Sequence, residues 1–147
     1  MNRLAQFFRR GSGDRRLFLE AAGSLLWAKF LVHAVPFRRL APRLGRSQAE
    51  TPATLTARER ALAVDVSWAV QAAARHVPLG FVCLPQAVAA QHMLRRRGVP
   101  TTLYLGVAAD AENPATLAAH AWLRAGDKIV TGEREAARHR VLATFAG

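Results

Sequence analysis

A change of hydrophobic periodicity near residue 100 is the feature that most restricts the fold of this chain. Before it, apolar residues recur at helical spacing in three segments. After it, Leu103, Leu105 and Val107 alternate with Thr102 and Tyr104, as in a β-strand. Helices in one part of a chain and strands in another are typical of the α+β class. We therefore expect N-terminal helices packed on a small antiparallel sheet.

Capping residues and helix breakers predict where the elements begin and end. Asp14 serves as the N-cap of a first helix, which Pro36 stops. Thr56 and Glu59 have the spacing of a capping box and open a second helix, and Cys83 begins a third. The expected helices cover 14–35, 56–76 and 83–97, and the expected strands cover 102–107, 117–124 and 128–131. The polar segment 46–54 reads as a linker, and 133–145 adds a final helix or an edge strand.

Positive charge is concentrated at the N-terminus. The chain carries a net charge of +11. Residues 1–46 contain ten basic and two acidic residues, so this segment contributes +8 of that charge. We divide the chain into a basic, amphipathic helical arm (1–46) and a catalytic core (47–147). Such an arm suits a nucleic acid, an anionic membrane surface or an acidic partner. Because the aromatic residues are not interleaved with basic ones, no nucleic-acid partner is expected.

The most apolar stretch of the chain, 17–37, lies within this arm. Charged residues and a proline interrupt it, so it is a poor transmembrane helix. Leu19, Ala22, Leu26 and Phe30 recur at helical spacing, which favours a packed or interfacial amphipathic helix. The N-terminus has no signal-peptide pattern. We therefore expect a cytoplasmic protein that can associate with a membrane peripherally through the arm.

Cys83 is the candidate nucleophile. It is the only cysteine, which excludes an internal disulfide and a two-cysteine zinc site. At the start of a helix, free backbone N–H groups and the helix dipole favour the thiolate and can stabilise an oxyanion. A buried structural cysteine is the alternative. The sequence has no HExxH motif and no paired His and Cys spacing, so no metal is expected, and it has no Walker-type loop or G-x-G-x-x-G motif, so no cofactor is expected.

His120 is the candidate general base. It lies in the alternating segment 117–124, and a histidine on a strand beside a helix-opening cysteine can take the thiol proton and return it to a leaving amine. The other four histidines are interpreted as ordinary core or surface residues.

A third residue should orient the imidazole of His120. If Gly126 and Asp127 form a two-residue turn, regular pairing places Leu123 opposite Val130 and His120 opposite Glu133. Glu133 is therefore the candidate acid. Asp127 lies in the turn and is the weaker choice, and Glu133 as a solvated residue is the alternative.

Two segments, CLPQAVAAQHMLRRRGVPTTLYLGV and AHAWLRAGDKIVTG, resemble the B-type leader peptidases of lasso peptide biosynthesis. This family is a branch of the transglutaminase-like, papain-related cysteine hydrolases. The apolar and basic N-terminal part is also similar, so the resemblance covers most of the chain. It implies a transglutaminase-like core with a Cys-His-Asp triad, in which Cys83 matches the nucleophile and His120 the base. Gly132 stands where the family has its aspartate, so Glu133 substitutes or a dyad suffices.

The resemblance also implies a function and partners. The family removes the leader from a ribosomally made precursor peptide, and a separate ATP-dependent cyclase then closes the macrolactam ring. Longer members carry a leader-recognition domain. A chain of 147 residues has no room for one, so we expect a separate small leader-recognition protein. An acyl transferase of the same superfamily and a non-enzymatic basic module that binds a membrane or a partner are the alternatives.

Overall fold

The computed structural model describes residues 11–77, 80, 82–109, 112–113, 115–136 and 139–147. The helices are α1 (Ser12–Ala34), α2 (Phe37–Leu40), α3 (Ala57–His76), α4 (Cys83–Arg96) and α5 (Glu133–Ala136), with a 3₁₀ turn at Ala41–Leu44. The strands are β1 (Arg46–Ser47), β2 (Thr102–Ala109), β3 (Leu117–Ala125), β4 (Lys128–Thr131) and β5 (Arg140–Ala146).

The strands form one antiparallel sheet in the order β1-β5-β2-β3-β4. The segment 133–145, expected to add a helix or an edge strand, contains both the short α5 and the strand β5. β5 is an interior strand, since it pairs with β1 on one side and with β2 on the other. The chain thus returns from the β3–β4 hairpin to the opposite side of β2.

Helices cover one face of this sheet and share a hydrophobic core with it. On the sheet the buried residues include Leu103, Leu123 and Phe145, and on the helices they include Leu25, Val70 and Leu94. The α+β class and the helices-on-sheet arrangement are therefore confirmed. The capping box at the start of α3 is also present: the Thr56 side chain accepts from the Glu59 amide at 3.2 Å, and the Glu59 side chain accepts from the Thr56 amide at 2.9 Å.

α1 packs against α3 and α4 and contributes to this same core. It begins at Ser12 with Gly11 as its N-cap, so the expectation that Asp14 caps it is wrong. Asp14 lies inside the first turn, where a carboxylate still complements the helix dipole. The buried face is formed by Ala21, Ser24, Leu25, Ala28 and Leu31. The charge boundary at residue 46 is therefore not a boundary of the hydrophobic core.

The segment expected to be a linker lies against the sheet. Thr51 bonds to Thr102 on β2, its amide donating to the Thr102 hydroxyl oxygen at 2.9 Å. The Glu50 carboxylate accepts from the Tyr104 hydroxyl at 2.8 Å, and the Arg124 Nε–H donates to the same hydroxyl oxygen at 2.8 Å. These contacts lie on the sheet face that the helices leave uncovered, because Tyr104 and Arg124 alternate with the core residues along their strands.

Candidate active site

Cys83 is the first residue of α4, as the sequence predicted. Val82 is the N-cap in an extended conformation and provides no side-chain cap, and Pro85 lies in the first turn. The first turn of a helix leaves its N–H groups without intrahelical partners. Since Pro85 has no N–H, the Cys83 and Leu84 amides are the donors that this turn offers to a ligand. The thiol is half-buried.

A backbone hydrogen bond ties this thiol to the strand that carries His120. The Ala121 N–H donates to the Cys83 Sγ at 3.3 Å. β3 extends past β4 here, because the last pair between the two strands joins Leu123 to Thr131. The start of α4 therefore occupies the edge of β3 that β4 leaves open. The candidate nucleophile is held one residue from the candidate base.

His120 lies in an aromatic cluster on the sheet face away from the helices. Its ring contacts that of His139 with a centroid distance of 4.3 Å and an interplanar angle of 56°. The Trp122 ring, two residues along β3, stacks on Tyr104 at 5.5 Å and is 6.3 Å from the His139 ring. Burial raises the pKa of Tyr104, which keeps the phenol neutral as a donor.

A glycine on β2 makes room for this cluster. Gly106 pairs with His120 across the two strands. A Cβ at Gly106 would lie 2.7 Å from Cη2 of Trp122 and 2.8 Å from the Arg140 carbonyl oxygen. The absent side chain therefore allows the indole to lie across β2.

His139 is a site residue that sequence reasoning missed. It was interpreted as an ordinary histidine, but the residue just before β5 contacts His120. This proximity follows from the pairing of β5 with β2, which includes a register shift between Leu105 and Gly106. No local pattern in the sequence signals either feature.

The pairing used to place Glu133 opposite His120 is wrong. The two-residue turn at 126–127 is present, with Ala125 opposite Lys128 as expected. A register shift then places Leu123 opposite Thr131 instead of Val130. A bulge of this kind adds one residue to a strand and displaces every later pair.

The chain leaves the sheet immediately after this bulge. Gly132 adopts a φ of +75°, and Glu133 begins α5 with an exposed side chain. A Cβ at Gly132 would lie 2.7 Å from the Trp122 Cβ and 2.9 Å from the Ala121 carbonyl oxygen. An aspartate therefore does not fit at this position with the backbone as it stands.

The Nδ1 atom of His120 is buried and has no hydrogen-bond partner among the described residues. Neither Glu133 nor Asp127 is therefore bonded to this atom. The Asp127 carboxylate instead accepts from the Arg60 guanidinium at 2.7 Å, which links the hairpin turn to α3. The structure brings Cys83 and the His120 strand together, and neither candidate acid is hydrogen-bonded to the buried His120 Nδ1.

The described side chains suit acid–base and nucleophilic chemistry. Within the described ranges, no group of three or more His, Cys, Asp and Glu residues could hold a metal ion. The site offers a thiol at a helix start, a histidine next to the residue whose amide binds this thiol, and the N–H groups of the first helical turn. These are the elements of covalent catalysis at a carbonyl.

Comparison with known proteins supports this interpretation at the level of a superfamily. The sequence profile of the Transglutaminase-like superfamily matches residues 31–144, which include Cys83 and His120. No curated protein and no solved structure matches the chain significantly. The superfamily includes cysteine proteases and acyl transferases, and its members are typically enzymes that use a cysteine. With more than half of its length matched, this chain belongs to the Transglutaminase-like superfamily.

Proposed function

We propose that this protein is a cysteine peptidase that removes the leader from a ribosomally made lasso peptide precursor. The hydrogen bond from the Ala121 amide to the Cys83 Sγ carries the proposal, because it holds a helix-opening thiol against the strand of a histidine. The superfamily match supports cysteine catalysis. The lasso-specific part rests on the CLPQ, RRRGVP and HAW segments, which resemble the leader peptidases.

In this mechanism His120 removes the Cys83 thiol proton as Sγ attacks the scissile carbonyl. The new C–S bond pushes an electron pair onto the carbonyl oxygen, and the Cys83 and Leu84 amides at the start of α4 stabilise that oxyanion. The oxyanion collapses, the C–N bond breaks, and the imidazolium protonates the leaving amine. Water, deprotonated by His120, then attacks the thioester and releases the leader with a new carboxylate.

Glu133 stays in the proposal as the third catalytic residue to be tested. The observed strand pairing does not place Glu133 opposite His120, and the Glu133 side chain is exposed at the start of α5. A Cys83–His120 dyad is the alternative. Glu133→Gln distinguishes the two, since only a working triad loses activity with this variant.

The proposal names three partners. They are the precursor peptide, a small leader-recognition protein that presents it, and the ATP-dependent cyclase that uses the freed amine. Genes for all three beside this one would support the pathway. The test uses the neighbouring precursor, made as a synthetic peptide, with and without the leader-recognition protein.

Mass spectrometry of the products in ¹⁸O-enriched water tests the reaction itself. Hydrolysis inserts one solvent oxygen into the released leader. Transfer to an amine, the acyl-transferase alternative, gives an isopeptide product without ¹⁸O. We expect labelled leader from the wild type, none from Cys83→Ala or His120→Ala, and unchanged cleavage from His33→Ala, an exposed histidine on α1. Full activity of Cys83→Ala would overturn the proposal.

A further inference from the structure

The outer face of α1 exposes several large apolar side chains to solvent. We define it by four residues: Leu19 is 65% exposed, Leu26 47%, Trp27 42% and Phe30 69%. They recur at helical spacing and therefore form one stripe along the helix. This stripe includes three of the residues that were expected either to pack or to lie at an interface, and it faces solvent.

α1 is apolar on both sides. Its inner face, with Ala21, Leu25 and Ala28, is fully buried in the core. The helix is long and apolar enough to cross a membrane, yet only 28% of its most apolar window is buried. A helix that is hydrophobic all round is normally buried in a protein or in lipid. The inner face of α1 is buried in the protein core as expected, whereas the outer face is exposed to solvent.

Two contacts keep α1 on the protein. Its inner face packs on α3 and α4, and the Glu20 carboxylate accepts two hydrogen bonds from the Arg97 guanidinium at 2.8 and 2.7 Å. A helix held in this way cannot span a bilayer while the domain stays folded. It can lie in the plane of a membrane surface with its outer face toward the acyl chains.

The charge around α1 selects an anionic surface. Residues 1–46 carry a net charge of +8, and Arg16, Arg38 and Arg39 are exposed. The carboxylate of Glu20 is neutralised by Arg97, which holds the pKa of Glu20 below its usual range. Phe37, 45% exposed on α2, is a further exposed apolar residue and directly precedes the two arginines. Apolar residues flanked by arginine are typical of helices that bind anionic lipid interfaces.

We propose that the outer face of α1 docks this protein on an anionic lipid bilayer. The superfamily match begins at residue 31, so it does not account for these four residues. The proposal stands independently of the peptidase reaction, since it uses no residue of the Cys83 site.

Vesicle flotation of the full chain tests the proposal. We use vesicles of phosphatidylcholine alone and of equal parts phosphatidylcholine and phosphatidylglycerol. The wild type should float with the anionic vesicles, and added salt should weaken this binding. Bromine-labelled acyl chains should quench Trp27, and Trp27→Phe should remove this quenching, since of the other two tryptophans Trp122 is buried and Trp68 is half-buried on α3.

Matched substitutions test whether vesicle binding depends on this face of α1 or on exposed apolar residues in general. Leu19→Ser with Phe30→Ser should lower binding about tenfold or more, because two large apolar side chains leave the interface. The control is Leu117→Ser with Leu142→Ser, which removes side chains that are 72% and 59% exposed on the sheet. It should leave binding unchanged. Arg38→Gln with Arg39→Gln should weaken only the binding to anionic vesicles.

Circular dichroism of each variant verifies folding, and all these substitutions are at exposed positions. Absence of flotation, or equal flotation of the two double-serine variants, would overturn the proposal. Light scattering supplies a further outcome. The wild type could self-associate without binding vesicles, and Leu19→Ser with Phe30→Ser could abolish that self-association. This result would show that a second copy of the chain covers this face, and it would also overturn the membrane proposal.

Discussion

Replacing Gly132 by alanine tests how tightly the chain after β4 packs against β3 beside the candidate site. The added Cβ would lie 2.7 Å from the Trp122 Cβ and 2.9 Å from the Ala121 carbonyl oxygen, and the backbone φ is +75°. Overpacking a site of this kind costs about 1–3 kcal/mol. A left-handed conformation costs a non-glycine residue about 1–2 kcal/mol more. We therefore expect Gly132→Ala to lower the free energy of unfolding by roughly 2–5 kcal/mol.

Gly98→Ala is a matched control for the backbone part of this cost. Gly98 has a φ of +73°, and a Cβ there would meet nothing within 4 Å. The control should therefore lose only about 1–2 kcal/mol. The difference between the variants isolates the packing of Gly132, and for a domain of this size it corresponds to a melting temperature lower by about 3–10 °C.

Urea and thermal unfolding followed by near-ultraviolet circular dichroism measure both variants. Gly132→Ala should also reduce the proposed peptidase activity, because the residue it pushes against, Ala121, donates the hydrogen bond to the Cys83 Sγ. Equal destabilisation by the two substitutions would refute the reasoning, since it would mean that the chain at Gly132 is free to move away from β3.

Substitutions at three further positions test other contacts. Glu20→Gln should cost about 1–2 kcal/mol near pH 7, because it replaces the paired, charged hydrogen bonds from Arg97 by at most one bond to a neutral acceptor. Since Arg97 holds the pKa of Glu20 below 4.5, the pair stabilises the fold above that pH, and its contribution is lost as pH falls through the folded-state pKa. A difference in unfolding free energy from wild type that is the same at pH 7 and pH 3 would contradict this assignment. His139→Ala should lower kcat about tenfold by freeing the His120 ring, and His139→Phe should retain more activity, so equal losses would argue against a positioning role. Thr56→Ala should cost about 1 kcal/mol in urea unfolding, and no change would rule out a stabilising capping box.

The sequence was most informative where structure depends on neighbouring residues. α3 begins at its capping box, and α4 begins at Cys83 and carries Pro85 in its first turn. The turn at 126–127 and the strand β4 were also predicted correctly. Each of these features depends on hydrogen bonds or steric limits within a few residues, so the local sequence contains the necessary information.

The predicted pairing of β3 with β4 failed because one extra residue in a strand shifts every later pair. The extra residue is Val130 on β4, between the pairs Arg124–Ile129 and Leu123–Thr131, and it displaces the pairing that pointed to Glu133. Regular alternation gives no sign of a bulge, because the energy that favours it comes from contacts across the sheet. The left-handed Gly132, packed on Ala121 and Trp122, is one such contact.

By itself, the sequence determined the fold class, the helix that presents Cys83 and the strand that carries His120. Only the tertiary structure decided that the Ala121 amide bonds to the thiol, that His139 contacts His120, and which face of α1 is buried. These features depend on the order of strands and on the packing of distant segments. Because α1 is apolar on both sides, the periodicity of its sequence does not distinguish the face that packs on α3 and α4 from the face that is exposed to solvent.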